Sequence, residues 1–347
     1  MTPLPILTQT AYAELLDQLT VLDAQRSIGH APGTFITKTI RERTYFYFQY
    51  STPEGGTKQA YVGPARPELA ALVRRFARER DAIRADRERI LALSAMLRAG
   101  GAATTDASSA RVIGALANAG VFKLGGVLVG THAFLVLGNV LGVRWTGGHD
   151  RTDDIDPATT RTLEIAVPEL EANIPSALEN LGMGFLPVPG FSPKHPSTSF
   201  HVRRRGLRLD LVTPAKTGRN GVDGPIPIPR FNAAAAPVRY LDYAIEDAAT
   251  AAVVNGGGIL VRVPEPARFA IHKLLVAQDR PVTFQTKSRK DLAQAAALIE
   301  ALEELRPGDL PIALAHAKTR GQRWIRALNA ARKLLAHHYP HAAALLA

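Results

Sequence analysis

Arg151-Thr152-Asp153-Asp154-Ile155-Asp156 is the stretch of this chain that says most about its fold. An extended backbone places the carboxylates of Asp154 and Asp156 on one side, because side chains alternate along a strand. Two carboxylates on one face repel each other unless a cation neutralises them. Hard oxygen ligands of this kind suit Mg²⁺ or Mn²⁺. The same residues also allow a plainer interpretation, in which Asp156 caps a helix that opens at Pro157.

Two flanking segments favour the metal-binding interpretation. Upstream, Gly125–Phe134 predicts a short buried strand, a turn at Gly130 and Thr131, and an apolar helix through Val140. Such a junction exposes backbone N–H groups at a helix N-terminus, where phosphate is favoured. Downstream, Leu207–Val212 alternates apolar and polar residues and carries Asp210 on a predicted strand. A glycine turn, an acidic pair and a later single aspartate together indicate two-metal phosphoryl-transfer chemistry.

These motifs resemble the signature of the DNA polymerase beta-like nucleotidyltransferase superfamily: an hG[GS] turn, a DhD or DhE pair and a later hDh strand. The chain is most similar to bacterial nucleotidyltransferase-fold proteins related to abortive-infection and tRNA-modifying toxins. Gly130-Thr131-His132 matches their G-T-(A/H) turn, and Arg151–Asp156 matches their R-(S/T)-x-D-I-D motif. The resemblance covers roughly residues 108–300. The chain departs from the pattern at Val129, at Pro157 and in its longer Gly130-to-Asp154 spacing.

The resemblance implies a fold and a set of site residues. The expected fold is α/β (α+β): a mixed sheet with flanking helices, a small N-terminal β-hairpin and helix domain, and a C-terminal helical bundle. Mg²⁺ (or Mn²⁺) would be held by three catalytic carboxylates. The nucleotide would be bound by the glycine turn, an arginine and a lysine. The residues so implied are Asp154, Asp156 and Asp210 for catalysis and metal, and Gly130, Thr131, Arg151 and Lys273 for the nucleotide.

Lys273 lies on a predicted helix over Pro266–Ala277, with apolar residues at Phe269, Ile271, Leu274 and Leu275. In the proteins that the chain resembles, a lysine on this helix faces the nucleotide phosphates. A Lys-Asp pair follows later in those proteins, as Lys290-Asp291 does here. The resemblance therefore implies a triphosphate contact for Lys273. The alternative is an ordinary surface lysine.

Composition limits the other chemistries. The chain has 347 residues and no cysteine, which excludes disulfides, thiolate catalysis and cysteine-based zinc sites. No signal-like or membrane-spanning apolar run is present, so we expect a soluble cytoplasmic protein without a membrane partner. The net charge is +11, divided as +4 over residues 1–100, −3 over 101–200 and +10 over 201–347. A basic excess around an acidic centre would attract polyanions, although a solvated basic surface would show the same numbers.

The chain divides into three predicted domains. Residues 1–100 combine three short strands with a long helix from Pro67 to about Arg98. The strand Arg43–Ser51 carries aromatic residues on both faces; one face should pack, and the other could stack on bases or lie beneath a second helix. Residues 108–264 form the predicted catalytic domain, with a closing strand at Ile259–Pro264. Residues 265–347 are predicted to be helical.

The sequence therefore predicts a transferase that moves a nucleoside monophosphate from an NTP to an acceptor hydroxyl. RNA, notably a tRNA end, is the favoured acceptor, and a protein hydroxyl or a small molecule such as an aminoglycoside stays open. An antitoxin or regulatory protein is a further expected partner. The competing hypothesis is an inactive nucleotidyltransferase-fold protein that binds nucleic acid or a partner. The departures at Val129 and Pro157 favour that alternative, and the three intact carboxylates favour an enzyme.

Overall fold

A computed structural model describes most of the chain, with gaps between the described ranges. The predicted site residues Arg151, Asp154 and Asp156, and the predicted helix over Glu169–Leu181, lie outside those ranges. The fold is mixed α+β, as the sequence predicts. Within the described residues, no helix is long and apolar enough to cross a membrane. The described residues are 1–24, 33–51, 56–146, 161–166, 183, 185–187, 197–202, 206–215, 224–228, 233–279 and 285–346.

The N-terminal part is a small antiparallel sheet followed by a long helix. The helix begins at Pro67, whose fixed backbone suits a first helical position. Its buried residues Phe76, Ile83, Ile90 and Leu97 recur at seven-residue intervals, so one stripe along the helix is buried. The elements are β1 (Thr2–Pro3), α1 (Ile6–Ala24), β2 (Thr34–Ile40), β3 (Arg43–Ser51), β4 (Thr57–Pro64) and α2 (Pro67–Ala99).

The N-terminal helix is attached to the rest of the protein through a buried tyrosine. The Tyr12 hydroxyl donates to the Ala252 carbonyl at 3.1 Å and accepts from the Ala252 N–H at 3.0 Å. Around it, Leu15 on α1 and Leu97 on α2 share a core cluster with Ala252 and Val254. Helix α1 and the end of α2 therefore pack against residues 252–254, while the 1–100 boundary itself stays a prediction.

The central mixed sheet positions the site. Its strands follow the order β11-β12-β10-β7-β5, and β9 pairs antiparallel with the first half of β10 and joins β8. Strand β10 runs parallel to β7 and β12, whereas β5 runs antiparallel to β7. The elements are α3 (Ala107–Asn118), β5 (Val127–Val129), α4 (Gly130–Leu141), β6 (Val143–Arg144), β7 (Arg161–Ala166), β8 (Phe185–Pro187), β9 (Ser199–Val202), β10 (Leu207–Pro214), β11 (Ile226–Ile228) and β12 (Ala233–Val238).

The C-terminal helices share one hydrophobic core with the sheet. That core runs from Val112 to Leu346 and includes Leu209, Phe269 and Leu298. The predicted strand near Ile259 forms, but it pairs with the preceding strand in a separate two-stranded sheet instead of closing the central one. The elements are α5 (Leu241–Ile245), β13 (Ala249–Val253), β14 (Ile259–Val263), α6 (Pro266–Asp279), α7 (Gln285–Leu305), α8 (Asp309–Thr319), α9 (Gln322–His338) and α10 (Pro340–Ala344).

Candidate active site

The junction between β5 and α4 is the tight turn that the sequence predicts. All three residues of β5 are buried, and α4 begins directly at Gly130. Gly130 has a φ of +69°, a left-handed conformation that L side chains rarely adopt. Val129 provides no side-chain cap for the helix. The first N–H groups of a helix lack partners within it, so this end can accept an external hydrogen-bond acceptor.

Glu164 on β7 lies against this turn. A Cβ atom added to Gly130 would lie 2.6 Å from Glu164 Oε2 and 3.1 Å from its Cδ. Glu164 is the antiparallel partner of Val129, which brings its side chain to the turn. Sequence analysis gave this residue no role, although its place between Leu163 and Ile165 repeats the pattern that marked Asp210. The positive φ therefore favours glycine at residue 130, and an added Cβ would also force the Glu164 carboxylate to shift.

Replacing Gly130 with alanine should destabilise the fold by more than the conformational cost of about 1–3 kcal/mol. The control is Gly120→Ala, because Gly120 also has a positive φ of +83° but has nothing within 4 Å of the added Cβ. We expect thermal unfolding to show the larger loss for Gly130→Ala. Combining it with Glu164→Ala should recover part of that difference, since neighbouring substitutions are coupled. Equal losses for the two glycine variants would contradict the proposed contact.

A cavity of about 390 Å³ opens in front of this turn. Its size falls in the range of roughly 300–1,000 Å³ that is usual for small-ligand sites. Gly130 and Lys273, both predicted nucleotide contacts, line this cavity although they lie far apart in the sequence. The cavity also contains carboxylates, cations and a histidine. The polar lining residues are Glu164, Arg239, His272, Lys273, Asp279 and Asp291.

Lys273 is buried and paired, unlike a surface lysine. Its Nζ lies 2.6 Å from Asp291 Oδ1, and the two side chains are only 9% and 6% exposed. The ammonium also lies 5.2 Å from the centre of the Phe269 ring. The pair joins α6 to α7 at the cavity wall, so Asp291 neutralises the lysine where it meets the cavity. The Lys290-Asp291 motif is visible in the sequence, whereas the pairing of its aspartate with Lys273 follows only from the packing of α6 on α7.

Two further groups define the rim of the cavity. Arg239 Nη1 lies 3.3 Å from Asp279 Oδ2. His272 Nδ1 lies 3.1 Å from the Tyr240 carbonyl oxygen. Burial, with a smaller contribution from Asp279, raises the pKa of the Tyr240 hydroxyl. That phenol is therefore neutral near pH 7 and is a poor candidate for a general base.

Asp210 lies on the cavity face of the sheet, beside Glu164. The two residues pair in register on the parallel strands β10 and β7, so their side chains share a face. Asp210 Oδ1 accepts hydrogen bonds from Ser199 Oγ and from Arg208 Nε, each at 2.6 Å. Its side chain is 18% exposed. Asp210 is not part of the cavity lining, and Glu164 is the carboxylate that the fold brings to the glycine turn.

Asp210 and Glu164 offer hard oxygen donors, the ligand type that suits Mg²⁺ or Mn²⁺. A metal at Asp210 would share the carboxylate with Arg208. Within the described part of the chain, no three histidine, aspartate or glutamate side chains are placed to hold a metal ion.

Thr131, another predicted nucleotide contact, follows Gly130 in the first turn of α4 and is half-buried. Arg151, Asp154 and Asp156 lie outside the described residues, so their contribution to the site rests on the sequence.

The strand–glycine–helix turn lies beside a mixed sheet and a polar cavity, and a helix N-terminus in such a setting can bind phosphate. A family model described as Nucleotidyltransferase matches residues 107–318, which is more than half of the chain. The chain therefore belongs to this nucleotidyltransferase family. The match begins at the first residue of α3, so it includes the cavity and excludes the N-terminal sheet. Neither the curated proteins nor the solved structures contain a match.

Proposed function

We propose that this protein transfers a nucleoside monophosphate from an NTP to an acceptor hydroxyl, with RNA as the acceptor. The observation that carries the proposal is the shared cavity of Gly130 and Lys273. Gly130 is predicted as part of a phosphate-binding turn and Lys273, from the family resemblance, as a triphosphate contact, and both line a single cavity although they lie far apart in the sequence. Membership of a nucleotidyltransferase family supports the reaction class.

The triphosphate would be bound at the start of α4 and beside α6. Backbone N–H groups at Gly130 and Thr131 would donate to phosphate oxygens, helped by the positive end of the helix dipole. Lys273 would supply a point charge from the opposite wall. Its charge is already balanced by Asp291 at 2.6 Å, so the phosphate would share the lysine with that carboxylate. Such an arrangement holds the lysine in place before the nucleotide arrives.

The metal site would combine residues from three segments. Asp154 and Asp156 would hold Mg²⁺ or Mn²⁺, and Asp210 would contribute a third carboxylate. Glu164 supplies a further carboxylate beside the glycine turn. When bound, the ions would neutralise charge on the phosphates and on the departing pyrophosphate. The basic partner of Asp210, Arg208, would orient that aspartate.

In the reaction, the acceptor oxygen forms a bond to the α-phosphorus as the bond between that phosphorus and the β-phosphate oxygen breaks. Pyrophosphate leaves, and Asp210 orients the acceptor hydroxyl and takes its proton. Most of the rate enhancement would come from positioning and from charge stabilisation in the cavity.

The chain would act in the cytoplasm. A toxin role, with an antitoxin or regulatory protein as partner, is the more specific form of the same proposal.

The function is tested by incubating the protein with each NTP, Mg²⁺ and total bacterial RNA. Label on the α-phosphate should enter RNA, whereas label on the γ-phosphate should appear in pyrophosphate. Parallel reactions with a protein acceptor or an aminoglycoside distinguish the other acceptors. If no α-label enters any acceptor and no labelled pyrophosphate is released under any condition, the result contradicts the proposed transfer and favours the inactive, partner-binding alternative.

A further inference from the structure

The N-terminal sheet β2–β4 has two faces of different character. On one face, Phe35 and Phe48 pack against Phe76 of α2, with ring centroids 5.0 Å and 5.9 Å from that ring. Phe46, on the same face of β3, is buried. The helix therefore covers this side of the sheet. These contacts assign one set of alternate aromatic residues of β3 to packing against α2.

The opposite face carries a cluster of tyrosines, here called the tyrosine face: Tyr45, Tyr47 and Tyr61, with Lys38. Tyr45 and Tyr47 are half-buried and Tyr61 is exposed. Tyr61 lies 6.1 Å from Tyr45 and 5.5 Å from Tyr47 between ring centroids. Tyr61 is 59% exposed although it is a large aromatic residue in a regular strand. Lys38 Nζ lies 4.6 Å from the centre of the Tyr47 ring. Aromatic rings and a cation thus lie together on an open surface.

The charge around this face narrows the choice of partner. Residues 33–66 contain five basic and two acidic residues. Two copies of the protein that met through this face would bring like charges together, which disfavours self-association. A polyanion with flat aromatic groups would satisfy both the tyrosine rings and the basic side chains. Single-stranded nucleic acid has that chemistry, because its bases are free to stack and its phosphates are accessible.

We propose that the tyrosine face binds single-stranded RNA and thereby holds the acceptor. Bases would stack on Tyr47 and Tyr61, while Lys38 and Arg43 would contact phosphates. This inference rests on the proposed function only in naming the RNA as the acceptor; the binding itself does not require transfer. The sheet lies outside the residues that match the nucleotidyltransferase family, so the surface is an addition to the catalytic part.

The test measures binding of a fluorescein-labelled oligouridylate of about twelve nucleotides, within the usual site sizes, without NTP or Mg²⁺. Tyr61→Ala and Tyr47→Ala should each weaken binding by at least about five-fold, since stacking on one aromatic residue contributes that much. Tyr61→Phe should bind nearly as wild type because the ring remains. Tyr50→Ala is the matched control: Tyr50 is exposed on the same strand but lies on the opposite face.

Binding should weaken steeply with added salt, and a duplex of the same length should bind less tightly. Wild-type affinity in both Tyr47→Ala and Tyr61→Ala would overturn the proposal. So would a loss in Tyr50→Ala as large as theirs, or a dimer that Tyr61→Ala dissociates without a change in RNA affinity. Loss of nucleotide transfer with intact oligouridylate binding would count against the proposed function alone, because binding is measured without its substrates.

Discussion

Nucleotide transfer should fall by a factor on the order of 10²–10³ or more when Asp154 is replaced by asparagine, if this carboxylate holds the catalytic metal. The fold should be retained. Removing one charge from a repelling pair should leave the melting temperature without metal unchanged or higher. Transfer is measured with α-labelled NTP and RNA, and unfolding is measured on the same samples with and without Mg²⁺.

Asp153→Asn is the neighbouring control, because Asp153 precedes the alternating pair and has no assigned role. It should keep most of the activity. The Asp154→Asn/Asp156→Asn variant should be inactive and should lose the stabilisation that Mg²⁺ confers on the wild type. Wild-type transfer by this double variant would remove the acidic pair from the mechanism.

The second large effect concerns the buried pair of Lys273 and Asp291. Lys273→Met leaves the Asp291 carboxylate buried without its lysine, which should cost about 3–5 kcal/mol of unfolding free energy. Nucleotide affinity or turnover should also fall about ten-fold or more if the ammonium contacts the triphosphate. Lys273→Arg should recover only part of this, because a planar guanidinium does not replace a compact ammonium.

A double variant separates the structural role from the nucleotide contact. Lys273→Met/Asp291→Leu removes both charges and should regain much of the stability, as apolar replacement of buried ion pairs often does. Its transfer activity should remain low, because the phosphate contact is still absent. Lys123→Ala is the control, since Lys123 pairs with Asp23 at 2.8 Å in a more exposed setting. Full activity in the stable double variant would restrict Lys273 to a structural role.

Local patterns predicted the elements of the site well. The β5–Gly130–α4 turn was predictable because a strand-to-helix turn of this kind needs a residue that accepts a positive φ. Asp210 was placed on its strand correctly because alternation in Leu207–Val212 fixes one buried face, with Leu207, Leu209 and Leu211 in the core. These features depend on neighbours within a few residues.

Contacts between distant segments were not predictable from one sequence. The sequence allows Lys273 to be either a phosphate contact or a surface lysine. The structure excludes the surface position, because α7 places Asp291 against it. Glu164 went unnoticed because only the sheet register brings it to Gly130. Strand β14 was predicted in the correct place but with the wrong partner, since a strand pattern does not specify which edge it pairs with.

The central claim is that the cavity bounded by Gly130, Glu164 and Lys273 is the NTP site. The most direct test is a crystal structure with Mg²⁺ and an NTP analogue that cannot be cleaved between the α- and β-phosphates. Our account predicts phosphate oxygens within about 3 Å of the backbone nitrogens at Gly130 and Thr131, with the metal on carboxylates that include Asp154 and Asp156. A nucleotide bound instead in the larger cavity lined by Arg87, Lys123 and Arg262 would contradict it.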